Sequence, residues 1–233
     1  AGVARDLERG RIGIDVGGTF TDYTLLDERT GSVRFHKVAS TPHDPSVAIQ
    51  QGIADLLRMH GIAPADVGHV GHGTTVATNL IIERRGAPTG LITTRGFRDV
   101  LEMGRQVRPH LYDYAVTKPP VLARREHRLE VNERCNAQGE VLQPLDEAEV
   151  ESAARRLHAD GIRAVAVCFL HAYRNPDHER RARAAIERVM PAAYISISSE
   201  VLPEFREFER LSTTVLNAAV GPRMQTYLDN FLT

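Results

Sequence analysis

Apolar and polar positions alternate with period two from Arg11 to Val16, where Ile12, Ile14 and Val16 fall between Arg11, Gly13 and Asp15. That period marks a β-strand with one buried face. Tyr23 to Leu26 predicts a second strand, and Gly17-Gly18-Thr19 between them makes the pair a hairpin with a glycine-rich turn. Ser32 to Ala39, entered through Gly31, extends this to a third antiparallel strand. The period then becomes helical. Ile49, Ile53, Leu56 and Leu57 share one face behind an Asp44 cap and Pro45 at the first helical position, and Gly61 closes the helix.

Val67 to Gly71 reads as a short strand feeding His72-Gly73-Thr74-Thr75-Val76-Ala77-Thr78-Asn79. A helix starting near Thr74 or Thr75 and ending at Gly86, then a strand over Pro88 to Thr93, predicts a parallel βαβ unit. Phe97, Val100 and Leu101 mark one short amphipathic helix. Thr117 to Leu122, with its Pro-Pro, reads as a linker, and Arg124 to Arg134 as a strand with charged edges, followed by a turn at Asn136 to Gly139. A second α/β unit follows. Asp146 with Glu149 three residues on resembles a capping box, and Val150, Ala153, Ala154 and Leu157 form the buried stripe of a helix ended by Gly161. Ala164 to Leu170 is nearly continuous in apolar residues, as parallel strands are. Asn175-Pro176 opens a helix to about Val189, Tyr194 to Ser198 returns as a strand, and Glu200 to Phe208 connects onward. Leu211 to Leu232 is helical in pattern with a break near Gly221-Pro222, while Ala1 to Gly10 is a charged end without periodicity.

Composition narrows the partners. The 233 residues are 42% hydrophobic, with 29 basic and 30 acidic side chains and a net charge of −1. Near-neutrality argues against nucleic acid or an anionic membrane surface as the main partner. No apolar run approaches the ~18 residues that a spanning helix needs. Cys135 and Cys168 are far apart and lack metal spacing; Cys168 reads as a buried free thiol, and a reducing cytoplasm fits this usage. His69 and His72 are three apart, without the further ligands that a metal site needs.

The chemistry concentrates in the hairpin. Two adjacent glycines permit positive φ and let a ligand approach the backbone, and the hydroxyls of Thr19 and Thr21 add donors, so Gly17, Gly18, Thr19 and Thr21 make a nest suited to phosphate. Asp15 at the end of the strand is placed to hold hydrated magnesium. No Gly-Lys-Ser/Thr follows and no Gly-x-Gly-x-x-Gly is present, which excludes a P-loop and a dinucleotide fingerprint. The plain alternative is a tight hairpin with a solvated aspartate. The helix near Thr74 offers free N–H groups to an anion or to a carbonyl oxygen that gains charge; otherwise Thr74 is a simple cap and His72 a loop residue. Arg105 and Arg108 are candidates to grip a carboxylate or phosphate, against the plainer reading of solvated or structurally paired arginines.

The string Asp15-Val16-Gly17-Gly18-Thr19-Phe20-Thr21-Asp22 resembles the first phosphate motif of the actin, sugar-kinase and heat-shock-chaperone ATPases. Together with His72 to Asn79, Gly96-Phe97-Arg98-Asp99-Val100-Leu101-Glu102, Gly104-Arg105-Gln106, Tyr112-Asp113, Arg174-Asn175-Pro176 and Ser199 to Glu204, it resembles the amino-terminal region of the hydantoinase A, 5-oxoprolinase and acetone carboxylase β-subunit family. The resemblance covers about Arg11 to Pro222 and implies an α/β fold, a ribonuclease-H-like mixed sheet of actin and sugar-kinase type with helices on both faces and additional α/β elements. It implies three segments: 11–114, the first half of the ATPase domain; 115–210, a second α/β segment; and 211–233, a helical connection to a second half.

The resemblance also implies ATP and Mg²⁺ as cofactors. ATP would phosphorylate the carbonyl oxygen of a cyclic amide before ring opening, with Gly17, Gly18 and Thr19 on phosphates and Asp15 on the metal. His72, Thr74, Thr75 and Asn79 would lie near the substrate or the transferred group, and Arg105 would contact substrate or phosphate. The alternatives it leaves are the ATP-using subunit of a ketone carboxylase and a non-catalytic nucleotide-binding module. No second Asp-x-Gly-Gly-Thr string occurs, so the expected partners are a second half of the chain and a hydantoinase B-type subunit, beside a small cyclic amide or ketone substrate.

Overall fold

The computed structural model describes residues 10–41, 44–106, 112, 115 and 119–232, with 231 and 232 by backbone only. The expected charged end over residues 1–9, Arg108, Asp113, and Thr117-Lys118 of the linker lie outside the described residues. Two compact units emerge, Ala1–Glu83 with Met224–Thr233, and Arg84–Arg223. These divisions fall elsewhere than the expected segments 11–114, 115–210 and 211–233.

In the first unit β1 (Gly10–Val16), β2 (Phe20–Asp27), β3 (Val33–Ala39) and β4 (Val67–Thr74) form one sheet in the order β3-β2-β1-β4. β2 is antiparallel to both β1 and β3, whereas β4 runs parallel to β1. The alternation read in the sequence is real: Ile12, Ile14 and Val16 are buried while Arg11, Gly13 and Asp15 are exposed. Helix α1 (Pro45–His60) contributes Ile49, Leu56 and Leu57 to the core under these strands. Asp44 caps it by accepting from the Ser46 N–H, and Gly61 closes it in the left-handed region at φ 64°. After β4 comes the short α2 (Val76–Ile82), which stops before the expected Gly86.

The second unit has an all-parallel sheet, β10-β9-β5-β6, built from β5 (Thr89–Thr94), β6 (Arg128–Val131), β9 (Ala164–Cys168) and β10 (Tyr194–Ile197). Here the expectation of a βαβ unit is corrected. β4 and β5 flank α2 in sequence but belong to different sheets, because β5 finds its neighbours in β6 and β9. Every residue of β5 and β9 is buried. Their cover includes α4 (Glu147–Ala159) and α5 (Asp177–Val189), with Val150, Leu157, Ala182 and Ile186 in the core. A short α3 (Val100–Met103), the small pair β7 (Arg134–Cys135) and β8 (Val141–Gln143), and α6 (Ser198–Val201) complete the unit.

Two further expectations are corrected. Asp146 caps α4 through the N–H groups of Ala148 and Glu149, but the Glu149 carboxylate does not complete the capping box. It accepts instead from the Asn132 backbone and side chain, each at 2.6 Å. The last helix, α7 (Glu207–Leu232), is continuous and carries Pro222 inside it. Gly221 serves close packing rather than a break: a Cβ there would lie 2.1 Å from the Tyr194 ring.

Candidate phosphate-binding site

The hairpin turn is built as a clamp. The Gly17 N–H donates to the Phe20 carbonyl at 3.0 Å, the Ser40 N–H to the Thr19 carbonyl at 2.9 Å, and the Ser40 hydroxyl to the Gly17 carbonyl at 2.8 Å. Neither Gly17 nor Gly18 uses the positive φ that glycine permits. Space is the reason for glycine instead. A Cβ on Gly17 would lie 2.9 Å from the Phe20 carbonyl oxygen, and one on Gly18 would lie 3.3 Å from Asn79 Nδ2. Thr21 is corrected too: it is fully buried, and its hydroxyl is bonded to Ser40 Oγ at 2.9 Å. It braces the turn rather than offering a donor to a ligand. Gly18 and Thr19 are exposed.

The strand register divides the remaining candidates. Asp15 lies beside Gly73, whereas His72 pairs with Ile14 and Thr74 with Val16. Side chains alternate faces, so Asp15 shares the open face with the vacancy that Gly73 leaves, and His72 and Thr74 belong to the core face. There His72 Nε2 is hydrogen-bonded to the hydroxyl of Tyr227, a residue of α7 in the same unit that is 4% exposed. Burial holds the His72 pKa below its ordinary value, opposed by the charge of Asp15. Burial likewise raises the Tyr227 pKa, opposed by a hydrogen bond with Thr74. Tyr227 escapes sequence reading because it is 155 residues from its partner and carries no motif; Ser40 was equally silent.

Thr75 and Asn79 stand at the turn itself. Thr75 precedes α2 without capping it through its side chain; its N–H and hydroxyl both donate to the Val16 carbonyl, at 3.3 and 3.4 Å. Asn79 Nδ2 donates to Thr75 Oγ1 at 3.4 Å and faces the space above Gly18. Arg105 belongs to the second unit, where it is exposed and ion-paired with Glu209. It lines a cavity of about 540 Å³ with Phe97, Met103, His171 and Phe208.

An exposed carboxylate at a strand end, a glycine turn whose backbone is open at Gly18, and an amide beside it suit a phosphate with its hydrated cation. The residues present fit ATP and Mg²⁺ on that ground: Asp15 is open, and a Cβ on Gly73 would come within 4.0 Å of its Oδ1. The fold is that of a mixed α/β ATPase of actin-like, ribonuclease-H-like type.

Residues 11–190 match the hydantoinase/oxoprolinase N-terminal region, and the chain belongs to that family. It is 38% identical to the caprolactamase subunit alpha of Pseudomonas jessenii over 94% of this chain and 32% of that protein. The crystal structure of the ATP-dependent caprolactamase from that organism superposes with a TM-score of 0.84 over 94% of this chain and 32% of the other. An acetone carboxylase in nucleotide-free form gives 0.87 at 29% identity, over 97% of this chain and 34% of the other. The 5-oxoprolinase of Saccharomyces cerevisiae is 32% identical over 94% of this chain and 20% of its own length. The chain thus spans about a third or less of the length of these relatives.

Proposed function

We propose that this chain is the ATP-binding amino-terminal part of a longer enzyme that hydrolyses a cyclic amide, phosphorylating the substrate carbonyl oxygen before the ring opens. The observation that carries the reading is the union, at the end of β1 in the first sheet, of exposed Asp15 with the Gly17-Gly18 turn and Asn79. ATP supplies the phosphoryl group that turns a poor amide oxygen into a leaving group. Gly17, Gly18 and Thr19 present the turn's backbone to phosphate oxygens, and Asp15 holds the magnesium that offsets their charge. Thr75 and Asn79 orient the transferred group from the turn's flank. His72 and Thr74 act as positioning residues, since they face the core and Tyr227.

The likeness to an ATP-dependent caprolactamase and to a 5-oxoprolinase supports a lactam as substrate. The likeness to an acetone carboxylase supports a second reading, an ATP-using carboxylase subunit acting on a ketone. In both, a second half of the chain and a hydantoinase B-type subunit complete the machinery. The test is ATP hydrolysis by the complete enzyme with and without a lactam. Stimulation without bicarbonate supports the hydrolase; stimulation by a ketone only with bicarbonate supports the carboxylase. Absence of any substrate-stimulated turnover refutes both and leaves a nucleotide-binding module.

A further inference from the structure

Away from the hairpin, in the second unit, three chemically different metal-ligating groups converge in the interior. Glu133, between β6 and β7, is 2% exposed; Cys135 in β7 and His178 in the first turn of α5 are each 3% exposed. A carboxylate oxygen of Glu133, Sγ of Cys135 and a ring nitrogen of His178 all lie within 4.8 Å of one another. His178 Nδ1 is 2.9 Å from Glu133 Oε2 and 3.8 Å from Cys135 Sγ.

We propose that Glu133, Cys135 and His178 form a binding site for a zinc-type divalent transition metal ion.

The first argument is convergence on one atom. The carboxylate and the sulfur both approach His178 Nδ1, and a ring nitrogen carries at most one proton, so it serves only one of them as a hydrogen-bond donor. A metal ion serves all three ligands together. Bonds of about 2.1 Å to nitrogen and 2.3 Å to sulfur, meeting near the tetrahedral angle, set those two atoms about 3.6 Å apart. The observed 3.8 Å lies close to that separation, and the 2.9 Å contact needs only to open slightly.

The second argument is charge. A thiolate, a carboxylate and a neutral imidazole balance a dication, the arrangement that an interior of low dielectric favours. A bound dication holds the sulfur as thiolate. The hydroxyl of Thr94 hydrogen-bonds the other Glu133 oxygen and orients the carboxylate, as supporting groups around metal sites do. Three protein ligands leave one position for water. The site joins the segment after β6 to the start of α5, so its expected role is to tie those elements together. It is independent of the proposed ATP chemistry.

The experiment titrates the folded chain with Co²⁺ and then Zn²⁺. Expected are one bound cobalt per chain, a thiolate-to-cobalt charge-transfer band, and displacement of that band by zinc. Zinc at about a hundredfold excess over its Kd is expected to raise the thermal midpoint by about 5 °C. Cys135→Val, which keeps an apolar side chain of similar size, should abolish the band, while Cys168→Ala should retain it. Glu133→Gln, which keeps a hydrogen-bonding partner for Thr94 and His178, should weaken cobalt binding by at least about tenfold. A folded chain that shows no charge-transfer band at saturating cobalt overturns the proposal. So does a band that survives Cys135→Val or is indifferent to Glu133→Gln.

Discussion

The two sheets differ in strand length, seven or eight residues in the first and four to six in the second, and they differ in exposure. In the first unit β1 alternates buried and exposed residues, and its open face carries Asp15, with the Gly17-Gly18 turn at its end. In the second unit β5 and β9 are buried at every position, and the polar groups at their carboxyl ends are buried with them. Glu179 illustrates the second condition. It accepts from the backbone of Phe169 and Ser199 and from the Ser198 hydroxyl, which in turn accepts from Arg210. Burial raises the Glu179 pKa, the direction expected when a carboxylate is withdrawn from water. Asp15 and the glycine turn of the first unit therefore have room to meet a ligand, while the Glu179, Ser198 and Arg210 groups of the second are bonded among themselves and to nearby backbone. Function and stability should separate along that line.

The largest expected effect tests the open face. Asp15→Asn in the complete enzyme should lower turnover by about 10²–10³ and alter its magnesium dependence, with the thermal midpoint almost unmoved. Normal turnover with unchanged magnesium dependence would remove Asp15 from the mechanism. Next is the buried network. Arg210, 1% exposed, donates to Ser198 Oγ at 3.2 Å and to the Phe169 carbonyl at 2.8 Å. Arg210→Met should cost about 3 kcal/mol in chemical denaturation, because buried acceptors lose their partner. A cost below about 0.5 kcal/mol would show that the network carries little stability.

Tyr227→Phe should have a smaller effect, about 1 kcal/mol of stability, through loss of the hydroxyl that contacts His72. It tests the core face of the first sheet. With its folded pKa held below the ordinary histidine value by burial, neutral His72 contributes stability present above that ordinary value and lost as pH falls through the folded pKa. Removing the hydroxyl takes away the partner of His72 Nε2 and should shift the His72 titration followed by NMR. An unchanged titration would show that the Tyr227 hydroxyl does not hold His72.

Smallest is the surface contribution of the second unit. Hydrogen bonds from Arg181 and Arg188 lower the Glu147 pKa, and those from Arg183 lower that of Glu200. Folded values below unfolded ones mean stability present above the ordinary carboxylate range and lost as pH falls through the folded pKa, from about pH 5 downward. Raised salt should weaken this acid dependence, since the groups are solvent-screened. A pH profile insensitive to salt would assign the acid loss to less exposed groups such as half-buried His72 instead.

Local rules made much of the fold legible. Asp44-Pro45 and Gly61 bounded α1, the continuous apolar run marked β9, and the Gly17-Gly18-Thr19 turn stood out by composition. Each depends on neighbours within a turn or two, so sequence spacing carries the information. Sheet membership did not follow, because β5 pairs with strands far along the chain, and no residue in it names β9 as its partner. Pro222 misled for the same reason: packing of Gly221 on Tyr194 accompanies a helix that continues where local propensity predicts a break. What the sequence by itself determined was the period of each element, its caps and the glycine turn. Only the tertiary structure decided that His72 faces Tyr227 while Asp15 faces outward, and that Cys135 meets His178 across 43 residues. Strand register and long-range closure place side chains in space, and neither is encoded in the spacing of the residues that meet.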